Sequence, residues 1–128
     1  MKLLSVGLFG VLGVLARYLI GLGVAKALPS PFPHATLGIN IAGAFLIGVV
    51  YVLGFERSVL PPELRIGIMV GFLGGFTTFS SYCLEVARLV EEAEYWYAAL
   101  YFCLSNAVGA AATFLGLILS RIWVGSSS

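Results

Sequence analysis

Gly71-Phe72-Leu73-Gly74-Gly75-Phe76-Thr77-Thr78-Phe79-Ser80-Ser81-Tyr82 is rich in glycine and hydroxyls, yet it lies inside an apolar run long enough to cross a bilayer. A run of that length favours one unbroken helix. Here Gly74-Gly75 gives up helix propensity and the β-branched pair Thr77-Thr78 is restricted at χ1. The hydroxyls of Thr77, Thr78, Ser80 and Ser81 then fall where lipid tails offer no hydrogen-bond partner. Irregular backbone at membrane depth is tolerated only where it lines a cavity or is buried in protein. The stretch therefore predicts a membrane helix broken near 74–80, and helix breaks free carbonyls and N–H groups that can hold ions.

The surrounding composition agrees with a membrane setting. The 128 residues are 60% hydrophobic and 10% charged, and the mean hydropathy is +1.04, too little polar surface to cover a soluble core. Seven Lys/Arg against six acidic residues leave +1, with no basic run to suggest nucleic acid. There is no room for a soluble catalytic domain, so the reading is not an enzyme. Cys83 and Cys103 lie in apolar segments and read as small buried hydrophobes rather than a disulfide or metal pair. His34, alone in a proline-rich turn, reads as a solvated loop residue.

Working outward along the chain, apolar runs predict a single integral membrane domain, 1–128, all-α, with spans at about 3–28, 36–55, 65–90 and 97–121. The first could be taken for a signal peptide, with Lys2 before it and Ala25-Lys26-Ala27 after it. Its apolar stretch is longer than the usual ~7–15-residue core of such a peptide and contains Arg17, so it reads as a span. Gly10, Arg17 and Gly21 share a helix face, which aims the guanidinium at a partner helix or a wet cavity. Arg17 is then either a structural anchor or an anion-attracting charge near a pore mouth.

Pro29, Pro31 and Pro33 end the first helix. In the second span, Asn40, Ala44 and Gly48 recur every four residues on a face suited to close contact, and the Asn40 amide can glue helices or donate to an anion. Gly67, Gly71 and Gly75 form a similar stripe before the break. Glu85, past the break, sits in a vestibule or pairs with an arginine rather than facing lipid. Tyr95, Trp96, Tyr97 and Tyr101 read as an interfacial aromatic belt. Ser105, Gly109, Ala112, Thr113, Gly116 and Ser120 form a packing stripe on the fourth span, and Gly125-Ser126-Ser127-Ser128 a disordered tail.

Lys2, Arg57, Arg65 and Arg121 fall on one side of this topology, against Lys26 and Arg88 on the other. So small a bias predicts insertion in both orientations. Four helices are few to enclose a path, so an antiparallel homodimer with the two breaks meeting at a two-fold axis is expected.

With Arg17, Asn40 and Glu85 around it, the run Gly71 to Ser80 resembles the Fluc fluoride channels, also called CrcB proteins, over the whole four-helix chain. The resemblance implies a dual-topology homodimer in the cell (plasma or inner) membrane of a prokaryote, passively exporting fluoride from the cytoplasm. It also implies a structural sodium ion where the two broken helices cross, held by the carbonyls of Gly74 and Thr77. Phe79 and Tyr82 would supply ring edges along two pores, Asn40 would donate its amide to fluoride, and Thr78, Ser80 and Ser81 would extend a polar track. Tyr82 stands where many relatives have phenylalanine; its edge is still positively polarised and it adds a hydroxyl. Two other readings are a small multidrug-type four-helix antiporter, with Glu85 as its proton-coupling carboxylate, and a purely structural membrane subunit.

Overall fold

A computed structural model describes residues 1–125, and the expected tail at 126–128 lies outside the described residues. Every element among the described residues is helical. The chain runs through α1 (Lys2–Ala27) and α2 (His34–Tyr51), the latter continuing in a π-helical turn, Val52–Glu56. It then passes through α3 (Pro62–Ile66), a second π-helical turn (Gly67–Phe72) and α4 (Leu73–Phe76). Last come α5 (Phe79–Glu91) and α6 (Tyr95–Gly125). Among the described residues, four segments are long and apolar enough to cross a membrane: Lys2–Ala27, His34–Glu56, Pro62–Glu91 and Tyr95–Gly125. Gly125 of the expected tail is thus the last residue of α6.

Local chemistry sets the ends. Pro61 precedes α3 and Pro62 occupies its first turn, where a missing N–H costs nothing. The connection between α5 and α6 turns through Ala93 in the left-handed region, φ 59°. His34 opens α2 instead of lying in a loop, with its ring 5.0 Å from that of Phe32.

Glycines decide which helices touch. A Cβ on Gly71 would stand 2.6 Å from the Val6 carbonyl oxygen, and one on Gly75 would stand 2.8 Å from that of Gly10. Gly13, on α1, meets the Phe72 carbonyl just as closely. Two backbones can approach this far only where one of them presents a residue without a side chain, so the stripe and Gly13 fix α1 against Gly67–Phe72 and α4. On the other side α2 packs on α6, where Gly48 abuts the Thr113 carbonyl and Gly116 abuts that of Phe45. Thr113 Oγ1 donates to the Ala44 carbonyl across that seam at 2.7 Å.

One end carries an aromatic core of Phe32, Tyr82, Leu89, Ala98 and Tyr101. Tyr101 is fully buried, with edge contacts to Phe32 at 5.8 Å and Tyr82 at 5.1 Å. It therefore leaves the expected interfacial belt, in which Tyr95 and Trp96 do stand exposed. Cys83 and Cys103 are also exposed and free, which corrects the expectation that apolar surroundings would bury them. Much of the outer face of α1 and α6 is apolar and exposed, as lipid contact requires. At the opposite end Arg121 pairs with Glu56 at 2.6 Å and the Ser5 hydroxyl donates to the Glu63 carbonyl at 2.7 Å. The amino terminus, the second connection and the end of α6 therefore share one side.

Candidate functional site

The site is built at Thr77 and Thr78, which are extended between α4 and α5, at φ −84°, ψ 158° and φ −149°, ψ 122°. The glycines before them are not the irregular residues: Gly74 and Gly75 lie within α4. Their role is space, and the extended backbone falls on the β-branched pair, which favours it.

Four side chains hold the extended pair and the turn before it. Asn40 Nδ2 donates to the Thr78 carbonyl at 2.9 Å, and Asn40 Oδ1 accepts the Thr78 N–H at 2.8 Å. The amide oxygen thus satisfies the Thr78 N–H, which no helix satisfies, while the nitrogen adds a donor to the carbonyl that opens α5, leaving Nδ2 one further hydrogen. Arg17 Nε donates to the Gly75 carbonyl at 3.1 Å, so it anchors α1 to α4. Threonine hydroxyls close the ends: Thr77 Oγ1 donates to the Leu73 carbonyl at 2.8 Å, and Thr78 Oγ1 caps α5 by accepting the Ser81 N–H at 3.3 Å.

Cavities flank the pair on both sides. One, of about 330 Å³, is lined by Asn40, Gly43, Gly74, Thr77 and Thr113 among others. Another, of about 260 Å³, brings Arg17 to Thr36, Thr78 and Ser81. Glu85 is half-buried and accepts from the Thr36 hydroxyl at 2.7 Å; Arg88 pairs with Glu92 instead. Phe79 is 76% exposed and Tyr82 8%, with ring centroids 5.8 Å apart. Ser80 is exposed beside them. Tyr101 and Ser105 carry buried hydroxyls with no hydrogen-bond partner among the described residues. The sequence placed Tyr101 in an interfacial belt and Ser105 in a packing stripe, and their burial arises only where α6 meets α2 and α5.

Residues 4–117 match the family described as CrcB-like protein, Camphor Resistance (CrcB). This chain belongs to the CrcB family. Among its relatives are proteins named fluoride-specific ion channel FluC. That of Geobacter metallireducens is 42% identical over 121 residues, covering 94% of this chain and 98% of the relative. That of Chlorobium chlorochromatii is 45% identical over 123 residues, covering 96% and 95%. In this CrcB protein, Arg17, Asn40, Thr77, Thr78 and Ser81 therefore converge on one stretch of backbone, while Phe79 and Tyr82 stand in an adjoining groove. Among the described residues no group of three or more His, Cys, Asp or Glu could hold a metal. The oxygens gathered here are main-chain carbonyls and hydroxyls.

Proposed function

We infer that this chain is a fluoride channel, not an enzyme, through which fluoride leaves the cytoplasm passively and its toxicity falls. The observation that carries this is identity of 42–45% with fluoride-specific channels over nearly the whole length. The antiporter reading is not favoured by such relatives. Fluoride is small and strongly hydrated, so a path must replace its water with donors that hold it weakly enough for release. The second hydrogen of Asn40 Nδ2, the Ser80 and Ser81 hydroxyls and the ring edges of Phe79 and Tyr82 suit that task without a fixed cation. An inside-negative potential supplies about 2.3 kcal/mol per charge per 100 mV to drive the anion out.

The finer reading is an antiparallel homodimer in the plasma membrane, with the extended Thr77-Thr78 pair acting as the break of the third span. Support comes from Gly74, where nothing within the chain lies within 4 Å of a built Cβ, so this face of α4 is open to a second copy. A sodium ion at the crossing fits the donor set. The Thr78 N–H, which a continuous helix would give to the Gly74 carbonyl, goes to Asn40 instead. Carbonyl oxygens are hard ligands, so those of Gly74 and Thr77 would hold the ion. Its charge would offset main-chain dipoles where two copies meet. Arg17 and Glu85 border the path as vestibule or structural charges.

Proteoliposomes test the function. Fluoride should leave on addition of a potassium ionophore while chloride stays inside; retained fluoride would overturn the reading.

A further inference from the structure

A groove of about 320 Å³ runs along the outer side of α5 and α6, lined by Phe79, Tyr82, Cys83, Val86, Phe102 and Asn106. Its walls are apolar except for two groups that touch. Asn106 Nδ2 donates to the Phe102 carbonyl at 2.8 Å and to the Tyr82 hydroxyl at 3.3 Å. The carbonyl can only accept, so the amide nitrogen must stand on that side. Both contacts use that same nitrogen, so the Tyr82 oxygen is the acceptor. A phenol has a single hydrogen, and with Asn106 supplying one, the phenol's own is left to donate elsewhere. Behind it the Tyr101 ring packs edge-on at 5.1 Å, which fixes the plane of Tyr82.

We propose that Asn106 is a positioning residue that turns the Tyr82 hydroxyl into a hydrogen-bond donor for fluoride beside Phe79. An anion takes an O–H donor more strongly than a ring edge, because the bond is charge-assisted. An uncovered amide on an apolar span is expensive in lipid, so Asn106 fits a groove that an ion and water enter. Tyrosine and asparagine thus act as a pair here, and the amide matters only through the hydroxyl.

This inference rests on the fluoride-channel reading, and the experiment separates the two. Fluoride efflux is measured for wild type, N106L, Y82F and the double variant in liposomes. N106L should slow efflux about three- to tenfold, the worth of one hydrogen bond, and less than about twofold in the Y82F background. Equal slowing in both backgrounds, or none in either, would overturn it. A second readout needs no transport: in detergent, fluoride should shift the Tyr82 Cζ resonance of ¹³C-labelled wild type but leave it unmoved in N106L. Liposomes that hold their fluoride count against the channel reading, and a Tyr82 resonance indifferent to fluoride counts against this one.

Discussion

Asn40 concentrates the consequences of the fold in one side chain. Its amide accepts the N–H of Thr78, which a continuous helix would otherwise have satisfied, and donates to the Thr78 carbonyl. Asn40→Asp keeps an acceptor but loses the donor and adds a negative charge next to the anion's path. Thermal unfolding in detergent should show a loss of about 0.5–1.5 kcal/mol, the worth of one hydrogen bond, and fluoride efflux should vanish. Phe79 offers the opposite test, because it is exposed, its ring touching that of Tyr82. Phe79→Ile should lower fluoride efflux by removing a ring edge, while the melting temperature and assembly stay as in wild type. The sequence pointed to Asn40 as either glue or donor. Its geometry uses one hydrogen for the first role and leaves one for the second.

At the scale of elements, α1 is held by close backbone contact more than by side-chain burial, since Gly13 is its one buried residue. Gly71→Ala would bring a methyl against the Val6 carbonyl, a backbone atom that cannot swing away. Overpacking of this kind should destabilise the protein by about 1–3 kcal/mol in chemical denaturation. Gly7→Ala, in the same helix pair but with open space around it, should instead gain about 0.5–1 kcal/mol from helix propensity. The contrast between the two separates a packing role from a generic glycine effect. The stripe Gly67, Gly71, Gly75 was legible from its four-residue repeat, whereas its partner was not. Any of three helices could have filled that groove, and the small residues of α1 decided it.

Across the whole molecule, the single chain buries little of its apolar surface, and Gly74 faces outward from α4 with nothing of its own chain against it. Gly74→Val should therefore leave the fold of one chain unchanged, as circular dichroism would show, yet shift native mass spectra from dimer toward monomer. Monomer alone for wild type, or an unaffected dimer in the variant, would exclude a crossing at this glycine. The charged end formed by Lys2, Arg57, Arg65 and Arg121 is partly neutralised by the Arg121–Glu56 pair, and Arg65 is drawn inward to the Gly54 carbonyl at 2.9 Å.

The sequence by itself determined the membrane class, four segments long and apolar enough to cross a bilayer, and the neighbourhood of the extended pair Thr77-Thr78, because hydropathy and the placement of Gly, Pro and hydroxyl residues are local properties. It could not determine that the threonines rather than the glycines carry the extended backbone, that Tyr101 is core rather than belt, or that Asn106 reaches Tyr82. Those are decided only when α1, α2 and α6 close around α4 and α5, since each depends on which donor or surface from a distant segment arrives within a few ångströms.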